Sequence, residues 1–132
     1  MVDGVLKAVK PKKNAARLLR SLYPHDDCMI SQTVRIPRGI VTLGDAVFYK
    51  SGDAMQCGMV KLIFQRSSDA FVIVTKWVSV PREGAGHARR FAVSDDVDES
   101  HIHPMGCLEE AVIWARDGNF ATVLVSPLYR AC

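Results

Sequence analysis

The chain has 132 residues, 48% hydrophobic and 23% charged, with a formal net charge of +3. That length fits one domain able to bury a core without disulfide or metal staples, and the composition is that of an ordinary globular chain. No apolar run approaches the ~20 residues of a bilayer span, and the N-terminus lacks the apolar stretch of a secretory signal. Cys28, Cys57, Cys107 and Cys132 are scattered, a spacing that predicts reduced thiols in a nuclear or cytoplasmic protein.

Charge is distributed unevenly. Within residues 1–20, Lys7, Lys10, Lys12, Lys13, Arg17 and Arg20 stand against Asp3 alone; this gives +5 and leaves −2 for the rest. Residues 1–28 are therefore expected to form a basic arm with a short helix, followed by a β-domain over 29–132. In the arm, Pro11 interrupts any early helix, Asn14 is a plausible N-cap for Ala15–Tyr23, and Pro24 stops it. Leu18, Leu19 and Leu22 would share one side of that helix. Together with Val5 and Leu6, they also make the arm a candidate partner helix.

From Met29 the period changes to alternation. Val34 and Ile36 precede a Pro37-Arg38-Gly39 turn, and Ile40–Tyr49 reads as one strand bent at Leu43-Gly44-Asp45. Ser51-Gly52-Asp53 turns the chain into a strand over Gly58–Gln65. Arg66–Asp69 turns it again into Phe71–Val80, rich in β-branched and aromatic residues. Residues 81–90 read as an exposed basic loop, Phe91–Ser94 as a short strand, and Asp95–Glu99 as an acidic loop. Glu110–Ala115 and Phe120–Val125 form a last hairpin around Arg116–Asn119. Six or seven short strands at this spacing predict a mainly all-β fold, a small antiparallel SH3-like barrel with one N-terminal helix.

The order of features resembles a bromo-adjacent homology (BAH) domain over roughly residues 38–127. The resemblance rests on Gly44-Asp45-Ala46-Val47, Gly58-Met59-Val60-Lys61-Leu62-Ile63, Trp77 with Pro81, Phe91–Ser94, the acidic loop and Cys107. It implies a chromatin-associated module that recruits a protein partner, such as a histone or another nuclear protein. The family often carries aromatic residues after the tryptophan, where they can help to form a methyl-lysine cage; Val78 and Ser79 stand there instead, so that ligand is not implied.

Candidate partner-binding residues are Tyr49, Trp77 and Trp114, whose rings tolerate one wet edge. Asp95, Asp96 and Asp98 are added because an acidic loop suits a basic partner. A second reading is direct DNA or RNA binding. In it, Lys7, Lys10, Lys12, Lys13, Arg17 and Arg20 join Arg89 and Arg90 of the 82–90 loop to track phosphates. A third is a zinc-dependent or cysteine-based enzyme. His101, His103 and Cys107 have the right ligand chemistry but no fourth ligand at a diagnostic spacing. His25, Asp26, Asp27 and Cys28 supply nucleophile and base types without an elbow to align them. No phosphate loop appears, and the chain is read as non-enzymatic, with no cofactor and no membrane partner.

Overall fold

A computed structural model describes residues 4–80, 88–93 and 100–124. The fold is all-β and barrel-like, with one helix, as the alternation predicts. Its elements are β1 (Gly4–Leu6), α1 (Lys13–Leu22), β2 (Cys28–Ser31), β3 (Thr33–Ile36), β4 (Gly39–Thr42), β5 (Ala46–Ser51), β6 (Ala54–Arg66), β7 (Asp69–Val80), β8 (Ala88–Ala92), β9 (Ser100–Pro104), β10 (Leu108–Asp117) and β11 (Phe120–Leu124). A single 3-10 turn, Met105–Cys107, separates β9 from β10.

All pairings are antiparallel. A three-stranded sheet runs β1-β3-β4, and an eight-stranded sheet runs β2-β6-β5-β10-β11-β8-β7-β9. Because β6 also pairs with β7, the strands β6-β5-β10-β11-β8-β7 form a partly closed ring, with β2 and β9 flanking it. The two longest strands carry this arrangement. Near its start β6 pairs with β5, and near its end with β2. β7 pairs first with β9 and then with β8.

A bulge in β6 explains how one strand feeds three cores. Val60 pairs with Val74 and Leu62 with Ile73, which leaves Lys61 as the extra residue. Val60 and Ile63 therefore face the same way despite their odd spacing. They pack with Val47, Tyr49, Val72 and Val74 against Val34, Ile36 and Val41 of the smaller sheet. On the opposite face, Cys57 joins Phe48, Trp77, Phe91, Ala121 and Val123 inside the ring. Further along that face, Phe64 and Ile73 pack with Leu19 of α1 and Cys28 of β2. The central strands are thus covered on both sides, which is why Ala46–Tyr49 and Val72–Thr75 read as unbroken buried runs.

The N-terminal segment is not a separate arm. β1 pairs with β3, Val9 and Ile30 exchange two 2.8 Å backbone hydrogen bonds, and the Ser31 hydroxyl donates to the Leu6 carbonyl. Leu19 is buried, and Arg66 both donates to Asp26 at 2.7 Å and stacks over Tyr23. The expected boundary at residue 28 therefore divides a shared sheet and core.

Two other boundaries shift. α1 begins after Lys12, whose carbonyl accepts the Ala16 N–H at 2.8 Å, so Asn14 lies inside the first turn and caps nothing. Leu18 and Leu22 remain over two-fifths exposed, and only Leu19 of the three leucines is buried. The expected Ile40–Tyr49 strand is two strands in different sheets. Gly44 at φ +89 turns the chain between them, the Asp45 carboxylate accepts the Thr42 N–H at 2.8 Å, and Gly44 donates to Val60. The Gly-Asp pair is a corner rather than a bend within a strand.

Candidate functional site

The sequence points to three surfaces: an aromatic one, an acidic one and a basic one. Tyr49 and Trp77 are core residues, 1% and 2% exposed, so they do not form an exposed binding surface. They also lie on opposite faces of the sheet, Tyr49 toward the smaller sheet and Trp77 inside the ring. Trp114 is half-buried and meets Trp77 edge-on, with ring centroids 5.1 Å apart. Asp95, Asp96 and Asp98 lie outside the described residues, as do Arg82 and His87.

Each buried aromatic nevertheless floors a cleft. A cleft of about 270 Å³ opens at one end of the ring. Phe48, Cys57, Trp77 and Phe91 form its depth, and Met55, Ser79 and Arg89 are among its other lining residues. The Trp77 indole N–H is buried there without a hydrogen-bond partner. Arg89 sits 5.7 Å from the Phe91 ring centroid, and Lys76 also lines the cleft. A methylated ammonium entering this mouth would meet two cations, so the chemistry disfavours that ligand.

A second cleft, of about 370 Å³, is lined by Tyr49, Ser51, Gln56, Lys76, His101 and His103, and shares Gln56 and Lys76 with the first. β9 supplies its histidines. His103 pairs with Val72 and His101 with Val74, so both rings project on the Tyr49 side, and His103 stands 5.0 Å from the Tyr49 ring. Burial, with some repulsion from His101, lowers the His103 pKa, and its Nε2 has no hydrogen-bond partner. Burial pushes the Tyr49 phenol up to about 12.

The His103 shift has a stability consequence. The unfolded chain takes up the proton before the fold does, so stability falls as pH drops from just above 6.5 toward the lower folded value. His103→Gln is expected to flatten that part of the pH profile of thermal melting. Parallel profiles for wild type and variant would contradict the assignment.

No group of three or more His, Cys, Asp or Glu residues able to hold a metal exists among the described residues. His101 and His103 are therefore not joined by Cys107 in a zinc site. Nor is there an activated thiol among the described cysteines. Burial raises Cys57 to about 12 and Cys107 to about 11; burial and then Asp26 raise Cys28. These thiols keep their protons at neutral pH. Asp26 is engaged by Arg66 rather than by His25 or Cys28.

The basic residues have a different placement. Lys7, Lys10, Lys12, Lys13, Arg17 and Arg20 are all exposed on the latched N-terminal segment. Lys13, Arg17 and Arg20 follow i, i+4, i+7 spacing and form one stripe along α1. None of the six forms an ion pair with a described residue. Lys12 and Lys13 stand at the positive end of the helix, where a cation costs roughly 0.3–1 kcal/mol and no acidic residue offsets it. Arg89 and Arg90 lie apart from this stripe, on β8 of the ring. Arg90 is stacked 4.3 Å over Phe120 on the ring's outer side.

Among the described residues no helix is long and apolar enough to cross a membrane. Compared with protein-family models and with curated proteins, the chain matches none. What fold and surface define together is a class: among the described residues, an all-β, barrel-like domain with clefts over Trp77 and Tyr49 and a basic, structurally anchored N-terminal face.

Proposed function

We propose that this chain is a non-enzymatic binding module that contacts the phosphate backbone of a nucleic acid through the basic face of residues 7–20, in a nuclear, chromatin-associated setting. One observation carries the reading: six exposed cations without described ion-pair partners sit on a segment that the fold holds in place. A segment already ordered loses less conformational entropy on binding than a flexible tail does. Retaining Lys12 and Lys13 at the positive helix end, where they weaken the helix, makes sense for a surface that meets anions. Among the described residues, the protonated thiols and the lack of a ligand cluster give no support to the enzymatic alternative.

The test is neutralisation, not truncation. Deleting residues 1–20 would strip Leu19 and β1 from the core and unfold the site with the charges. Lys13→Gln, Arg17→Gln and Arg20→Gln together are expected to leave the fold intact, because all three side chains are exposed. By fluorescence anisotropy with a labelled duplex, the triple variant is expected to bind more weakly than wild type regardless of sequence. Equal affinities would remove the reading.

Recruitment of a protein partner by a BAH-like module is the second reading, and one surface favours it. On the ring's outer side Val78, Ile113 and Leu124 are 55%, 73% and 50% exposed, with Arg90 on the same face. That combination suits an apolar segment carrying carboxylates. Salt-tolerant binding of such a peptide, abolished by Ile113→Arg, would move the assignment to this face.

A further inference from the structure

The cleft between β5, β6, β7 and β9 lies apart from the proposed nucleic-acid face and has its own chemistry. Its lining offers an amine, two imidazoles, a phenol, an aliphatic hydroxyl and a carboxamide, with no carboxylate among them. These groups are supplied mainly as hydrogen-bond donors to an incoming anion. Lys76 repels a metal cation, and two histidines alone make a poor metal site. The register fixes the arrangement. Tyr49 pairs with Gln56 and Lys76 with Gly58, so no side chain stands at position 58 between Gln56 and Lys76. Gly58 packs directly against β7, since a side chain there would strike the Thr75 carbonyl, and this close approach fixes the β6–β7 register beneath the cleft.

A second observation points the same way. The His103 Nε2 is buried without a partner, although buried imidazoles are normally satisfied. We propose that this cleft binds the dianionic phosphoryl group of a small phosphate monoester, with Lys76, His101 and His103 as the charged contacts and Tyr49, Ser51 and Gln56 completing the donor set. A carboxylate has only two oxygens to share among six donor-bearing side chains, whereas a phosphoryl group has three and twice the charge. The volume of about 370 Å³ holds that group and leaves room for a small organic moiety.

The bound dianion favours protonation of both imidazoles, so affinity falls as pH rises above the histidine range; below about pH 6 the phosphoryl group itself takes up a proton and the gain ends. The other titratable groups near the pair are Tyr49 from β5, Lys76 from β7 and Cys107 from the 3-10 turn. Tyr49 and Cys107 are neutral at those pH values, and Glu109 beyond them is paired with Lys50 at 3.5 Å. Among the described residues, Lys76 is therefore the charged group that shares the ligand with the histidines.

The experiment is an NMR titration of the His101 and His103 ring resonances with inorganic phosphate at constant ionic strength, with acetate as the parallel arm. Saturable shifts of both rings with phosphate are expected, tighter near neutral than at alkaline pH, and weaker with acetate. Lys76→Met should weaken phosphate binding by about tenfold or more, the loss of one charge-assisted hydrogen bond. Because His101 is exposed, His101→Gln gives the same reading without threatening the fold. Absent saturation, an equal response to acetate, or unchanged affinity in both variants would overturn the proposal. Since the basic face of α1 is untouched, failure here leaves the nucleic-acid reading standing, and the converse holds.

Discussion

Gly58→Ala is expected to destabilise the fold by about 3 kcal/mol or more, the largest effect of alanine at any described glycine. A Cβ at Gly58 would fall against the Thr75 carbonyl oxygen and 2.8 Å from the Val74 Cγ1. Both neighbours belong to β7, whose backbone is fixed by pairing on its two edges. The strand cannot retreat without opening the ring. Gly52→Ala is the informative comparison. Its surroundings are open, so only its φ of +63 opposes the change. The left-handed penalty there is roughly 1–2 kcal/mol. Urea unfolding should rank Gly58→Ala well below Gly52→Ala; the reverse order would show that the β6–β7 contact is looser than described.

Trp77→Ala is the second large effect, at roughly 3–5 kcal/mol for a buried aromatic replaced by a methyl. Trp77 contacts Phe91 and Trp114 at centroid distances of 6.4 Å and 5.1 Å and floors the ring-end cleft, so its removal leaves a void that water can enter. Trp77→Phe should cost much less. Phenylalanine keeps most of the packing and eliminates the unpaired indole N–H, whose burial alone costs about 1–3 kcal/mol. Urea midpoints placing both variants at the same stability would mean that the indole N–H is satisfied in solution.

The turns were the most legible part of the fold. Gly52-Asp53, Ser67-Ser68 and Gly118-Asn119 each join two paired strands, and each lies within a turn cluster plain in the sequence. β6 and β7 were equally plain because burial on both faces leaves continuous apolar runs. β1, β2 and β9 were not. Gly4–Leu6 and Cys28–Ser31 are too short for a period to emerge. β9 places His101 and His103 on the Tyr49 side and the exposed Ile102 on the other, with His101 exposed as well, so no apolar alternation marks it as a strand. The Gly44-Asp45 corner was seen as a feature, but sequence alone does not reveal that it transfers the chain between sheets.

The sites divide along the same line. The basic residues were identifiable because charge segregation needs no tertiary information. The aromatic candidates were not decided by sequence, since alternation placed Phe48 and Tyr49 on opposite faces without revealing that both faces are covered. The phosphate cleft was hidden for a related reason. Tyr49, Lys76 and His103 are distant in sequence and meet only through the β5-β6-β7-β9 register. The one local signal in the sequence is the His-x-His spacing, which resembles a zinc-ligand pair more than an anion site.

The most direct test of the central claim is the salt dependence of duplex binding by wild type and by the Lys13, Arg17, Arg20 triple glutamine variant. Each phosphate neutralised steepens the plot of log affinity against log salt by about 0.9. Loss of the α1 stripe should therefore flatten the slope by roughly two to three units while the fold remains intact. Identical slopes, or wild-type binding insensitive to salt, would contradict the account of residues 7–20 as a phosphate-binding face.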